Sequence, residues 1–228
     1  HCLCAVVAAS AGKRLGRPKW MIAAFIMIAV SGNVGNYGIA MVRFRLGEDA
    51  LVPATIYYVV ISIVAFIVSV GAAGWAHGGS RGALGSVLKT PAIWAAALAF
   101  LAANSNLAMP LSLARMIELL AEAMIPVMLF SLGLQLLEQK KIHFSTDVIA
   151  LSAVRLLLVP AFAMLVAIPL SLSHQDYASG VLQAGMPVAI MATIIAKENN
   201  IVPEFVTSTV VFSVLASPLT LPLLMLIL

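Results

Sequence analysis

Asn33 and Asn36 stand three residues apart in the stretch Ser31-Gly32-Asn33-Val34-Gly35-Asn36-Tyr37-Gly38, inside an otherwise apolar run from Trp20 to Val42. A side-chain amide carries both donors and an acceptor, so either asparagine can hold a carboxylate or offer oxygen to a cation. Three glycines and two asparagines in eight residues resist helix formation. Within lipid an open backbone survives only where protein or a water-filled hollow surrounds it. The stretch therefore predicts a broken transmembrane helix. A second break is predicted at Gly185-Met186-Pro187-Val188. Pro187 removes one helical hydrogen bond and frees a carbonyl. The half-helix that starts beyond it presents a partly positive end, suited to an anion. Facing breaks near the midplane are where secondary transporters hold their cargo. The competing explanations are helix–helix hydrogen bonding for the two asparagines and a simple kink for Pro187.

Other polar residues inside apolar runs are weaker candidates. Ser131 lies in Ser131-Leu132-Gly133, where Gly133 also suits close helix approach. Asn104-Ser105-Asn106 sits at the end of a span. Arg155 is the one cation well within a span, readable as a counter-ion to the substrate or coupling species, or as a side chain that snorkels to the interface. Glu118 and Glu122 share a helix face near a span end, where Glu122 is a candidate proton carrier or simply hydrated. No Gly-x-Ser-x-Gly elbow, His-Glu-x-x-His zinc pair or phosphate loop is present, which argues against an enzyme. Cys2 and Cys4 alone make neither a disulfide framework nor a metal site. No cofactor is expected; the coupling ion, if any, is a proton or sodium.

The elements that position these residues follow from composition. The chain is 62% hydrophobic and 10% charged, against roughly 25% charged in soluble domains. Continuous apolar runs, not alternating ones, predict an all-α polytopic membrane protein rather than a barrel. The spans are Trp20–Val42, Pro53–Trp75, Pro91–Ala108, Leu113–Leu136, Asp147–Leu170, Gln175–Lys197 and Pro203–Leu228. Cys2–Ala11 is too short to span and reads as the tail of an earlier helix. The basic residues fall in loops, so they do not signal a nucleic-acid partner. Lys13, Arg14, Arg17, Lys19, Arg81, Lys89, Lys140, Lys141 and Lys197 collect on one side, and only Arg43, Arg45 and Arg115 on the other. The bias places the first set in the cytoplasm and the C-terminus outside.

Sliding the chain by 150 residues sets Gly35 on Gly185, Met41 on Met191, Glu48 on Glu198 and Val52-Pro53 on Val202-Pro203. Four spans separate the two broken ones, so the second enters from the opposite side. That is an inverted-topology repeat. It divides the chain into 1–76, a basic loop at 77–90, and 91–228.

Asn33-Val34-Gly35-Asn36-Tyr37-Gly38 followed by Leu46-Gly47-Glu48 resembles the fourth span of the auxin efflux carrier family. Pro126-Val127-Met128-Leu129-Phe130-Ser131-Leu132-Gly133-Leu134 resembles its seventh, and Met186-Pro187-Val188-Ala189 with Ala196-Lys197-Glu198 its ninth. The three motifs keep the family's order. The resemblance implies ten spans in two inverted repeats of five, of which this chain would begin late in the third. It also implies that the fourth and ninth spans cross at their breaks and flank the substrate. The family often has proline soon after the fourth-span glycine, where this chain has Ile39-Ala40; here glycines must open the helix. Family members carry dicarboxylates such as malate and malonate, or indole-acetic acid. The expected function is secondary transport of a small organic anion across a bacterial inner membrane by alternating access, with a homodimer as the assembly to test for. Asn33, Gly35, Asn36, Tyr37, Gly38, Ser131, Gly185, Met186, Pro187 and Val188 form the expected site. The rivals are a bile-acid or arsenite carrier, a channel or receptor of the same fold, and an intramembrane enzyme.

Overall fold

A computed structural model describes residues 2–78, 94, 98, 101, 102, 110–137 and 144–228. Most of the predicted span Pro91–Ala108, with Asn104, Ser105 and Asn106, and most of the basic loop at 77–90 lie outside the described residues, as does the side chain of Ser131.

Regular structure among the described residues is helical. In chain order it comprises α1 (Cys2–Arg14), α2 (Lys19–Val30), a π-helical turn (Val34–Ile39) continued by α3 (Ala40–Leu46), and α4 (Leu51–Ala76). Then come α5 (Leu111–Leu137) and α6 (Thr146–Ala153), the latter continued through a second π turn (Val154–Leu158) into α7 (Val159–Ala167). Last are α8 (His174–Ala184), α9 (Ile190–Glu198) and α10 (Pro203–Ile227). Glu48–Ala76, Thr146–Leu170 and Pro203–Ile227 are long and apolar enough to cross a bilayer, which takes about 20 residues. The protein is an integral membrane protein.

Local chemistry sets the ends. Ser145 and Ser173 cap α6 and α8, accepting from Val148 N–H (3.3 Å) and Asp176 N–H (3.1 Å). Pro203 opens α10, where a missing N–H costs nothing. Pro160 cannot donate to the carbonyl four residues back and its ring crowds that carbonyl. Just before it the chain widens into the π turn that carries Arg155.

The core is built from small side chains. Ala23, Ala24, Ala29, Ala72, Ala73, Ala192 and Ala196 are buried in one cluster. Small residues let membrane helices approach closely, which substitutes for the hydrophobic drive that lipid removes. A second cluster joins Val42, Ala50 and Ala54 to Val181, Leu182, Met186, Leu221 and Leu224. Polar contacts sort the ends onto two sides. Arg17 pairs with Asp147 (2.8 Å), Lys19 lies over the Trp75 ring, and His77 Nε2 bonds Asn199 O (2.7 Å). At the other side Arg43 pairs with Glu48 (2.5 Å) and Arg45 donates to Met225 O (3.2 Å).

Candidate functional site

The two broken spans cross. α2 ends at Val30 and α8 at Ala184. The unwound segments that follow meet antiparallel at Gly32 and Val188. Asn33 N–H donates to Pro187 O (2.8 Å) and Ala189 N–H to Ser31 O (2.9 Å). Each break thus satisfies the other's backbone, as a water-free interior demands. The remaining groups are met locally. Gly32 N–H donates to Val30 O (3.2 Å). Val188 N–H donates to Ser213 Oγ (3.0 Å), whose own proton goes to Val210 O (2.8 Å). Ser31 Oγ pairs with Ser69 Oγ at 3.2 Å.

The first break is shorter than the sequence predicts. Only Ser31–Asn33 is unwound; Val34–Ile39, with Gly35, Asn36, Tyr37 and Gly38, is wound as a π turn whose Gly38 N–H reaches Asn33 O at 2.9 Å. A wider turn accommodates residues that fit an α-helix poorly. The second break, Gly185–Ala189, falls where predicted. The crossing also sets its own register. A shift of 150 pairs Gly35 with Gly185, whereas the bridge pairs Gly32 with Val188. The two registers differ by six residues, and the second half-helices account for four of them: six π and seven α residues follow the first break, and nine residues the second.

A cavity of about 280 Å³ opens between the crossing and α4. The first broken span contributes Ser31 to Asn36, the second Ala189, Ile190, Met191 and Ile194. Asn33 is 7% exposed, and neither its amide nor that of Asn36 has a hydrogen-bond partner among the described residues. Facing the cavity, both amides are placed to engage a polar ligand. The N–H groups of Ile190 and Met191 precede the first intrahelical bond of α9, Ala192 N–H to Ala189 O (3.1 Å), so they too lack helical partners. The α4 wall brings Tyr58, Ser62, Ile63 and Phe66. Among the described residues, no Asp, Glu, Lys, Arg or His side chain lines the cavity.

The predicted residues therefore divide. Asn33, Gly35 and Asn36 line the cavity. Tyr37, Gly38, Gly185, Met186, Pro187 and Val188 build the crossing behind it. Tyr37 accepts from Ser217 (3.3 Å). Gly38 lies so close to Gln183 that a Cβ there would overlap its amide oxygen, and a Cβ on Gly185 would overlap Leu224. Glu122 is exposed on α5, away from the cavity lining. Arg155 is 0% exposed and reaches the crossing itself: its Nε donates to Met186 O (2.9 Å) and Nη1 to Ala29 O (3.2 Å). It does not snorkel. Sequence reasoning missed the α4 wall. Tyr58, Ser62 and Phe66 recur at four-residue spacing, a single helix face, and that was the available signal.

The sequence has relatives among known proteins. Residues 83–225 match the family model described as membrane transport protein. The uncharacterized transporter YfdV of Escherichia coli K12 is 26% identical over 205 residues, 86% of this chain and 65% of that protein. An uncharacterized transporter of Methanothermobacter thermautotrophicus is 33% identical over 46% of this chain and 34% of its own length. Auxin efflux carrier component 3 of Arabidopsis thaliana is 33% identical over 57% of this chain and 20% of its own length. The chain thus spans 65% or less of each of these relatives.

Proposed function

This chain belongs to the membrane transport protein family, that of the auxin efflux carriers, and from that premise we propose that it is a secondary-active permease for small organic anions working by alternating access. It is a transporter-family protein and not an enzyme. The observation that carries the reading is the cavity at the crossing. There an unmet Asn33 amide and the first N–H groups of α9 converge, with no acidic side chain among the lining residues. A helix amino end carries about half a positive charge, and an anion is the partner it favours.

The lining narrows the cargo. The partly positive helix ends gather at the breaks, while Tyr58, Ser62, Ile63, Phe66 and Ile194 supply a remainder that is mostly apolar and, among the described residues, holds no second positive group. A carboxylate with an apolar body fits this division better than a dicarboxylate, whose second charge would meet only the neutral hydroxyls of Tyr58 and Ser62. The reciprocal hydrogen bonds at Gly32 and Val188 support an inverted repeat, with 1–76 and 91–228 as its halves and 77–90 as the cytoplasmic connection. The distribution of Lys and Arg supports a C-terminus outside, in the inner membrane of a bacterium. Transport draws on a proton or sodium gradient, and Ser131 joins Asn33 and Asn36 in the site as the helices rock. The full-length carrier is a homodimer in this reading.

Flux into proteoliposomes containing the full-length protein is the test. A carrier gives saturable uptake of phenylacetate and counterflow on preloading, with malonate a poor competitor. Uptake that never saturates marks a pore, and absence of flux with retained binding marks a receptor; either overturns the carrier reading.

A further inference from the structure

Four helix ends meet at the crossing, and they are not alike. α9 and the first π turn present amino ends toward the cavity, whereas α2 and α8 present carbonyl ends. Each carbonyl end carries about half a negative charge. Together they would repel an anion bound next to them. Arg155 meets both: Nε donates to Met186 O just beyond α8, and Nη1 to Ala29 O in the last turn of α2. Its guanidinium also lies directly behind the cavity wall. Gly32 lines the cavity, and a Cβ on Gly32 would overlap Nη2 of Arg155. The backbone of Gly32 stands between the cation and the cavity.

We infer that Arg155 is the positioning charge that makes this cavity select an anion: it cancels the two carbonyl ends from behind Gly32, so that a ligand feels only the amino ends. The residue never touches the ligand. Gly32 is required because any side chain there would push the guanidinium from the carbonyls it neutralises. The second π turn, widened ahead of Pro160, delivers Arg155 to this point.

The inference rests on the anion-permease reading, and paired probes keep the two separable. Phenylacetate and its uncharged analogue phenylacetamide share shape and ring, and binding of each to full-length protein is measured by calorimetry alongside proteoliposome uptake of phenylacetate. Removal of the charge by Arg155→Gln is expected to weaken phenylacetate binding, and raise its KM, about tenfold. Phenylacetamide binding and kcat stay within about twofold. Arg155→Lys, which retains the charge, restores phenylacetate affinity. Should Arg155→Gln fail to fold, citrulline introduced at position 155 keeps the shape and donors and removes the charge alone. Equal loss for both probes, or no loss for either, reduces Arg155 to a structural brace and overturns the inference. Wild-type protein that binds neither probe overturns the anion reading instead, and the inference with it.

Discussion

The two breaks do one job with different materials. At the first, Gly32 supplies the bridge residue and a π turn carries the chain onward; at the second, Val188 bridges and Pro187 does the breaking. The first has to be bare because Arg155 lies behind it. The second can carry a side chain because Val188 is fully buried among packed helices. Their leftover N–H groups are treated differently too. Gly32 turns back on Val30 O, while Val188 borrows a hydroxyl from α10. The turns that close the half-helices repeat the contrast. Gly47 takes φ 85° at the first, whereas Asn200 and Val202 take φ 49° and 34° at the second. A β-branched residue is strained there and a glycine is not.

The comparison breaks most sharply at the bridge. Gly32→Val drives a side chain into the guanidinium and is expected to cost about 3 kcal/mol or more, read as a large drop in Tm of the full-length protein. Val188→Ala, which only thins packing, is expected to cost about 1–2 kcal/mol. Equal losses would mean that Arg155 does not constrain position 32. Ser213→Ala leaves the Val188 N–H unmet and should cost about 2 kcal/mol; no hydroxyl serves Gly32, so Ser69→Ala should cost roughly half that. Asn33→Ala removes an amide that has no hydrogen-bond partner among the described residues. It is expected to leave Tm unchanged or slightly raised while uptake of phenylacetate loses about tenfold in KM, near 1.4 kcal/mol. A fall in Tm with KM unchanged would make Asn33 structural. Smallest is the turn pair: Val202→Gly should stabilise by about 0.5–1 kcal/mol and Gly47→Ala destabilise by about 1 kcal/mol, measured by thermal unfolding.

Much of this was legible in the chain. Glycines and asparagines within an apolar run located the first break, and a proline located the second. Their extent was harder to read. Residues unsuited to an α-helix do not say whether the backbone will open or merely widen, and Val34–Ile39 widened. The internal echo paired Gly35 with Gly185 because the helix starts and charged turns dominate it. The bridge itself pairs Gly32 with Val188, and the unequal half-helices make up most of that offset. Arg155 could not be placed from its neighbours in sequence. Its partners Ala29 and Met186 come from two other spans, and backbone carbonyls leave no trace in residue identity. Tyr58, Ser62 and Phe66 mark a face, but the same stripe serves ordinary packing equally well.

The reciprocal bonds between Ser31–Asn33 and Pro187–Ala189 also bear on how the chain is made. Asn33 reaches the bilayer long before Pro187 has been synthesised. At ribosomal speeds of about 5–20 residues per second, roughly 8–30 s pass before its acceptor exists. Throughout that interval the newborn span holds an open peptide group in oil, and whatever shelters it then, be it translocon, water or an earlier helix, acts as a temporary stand-in for a partner still being translated.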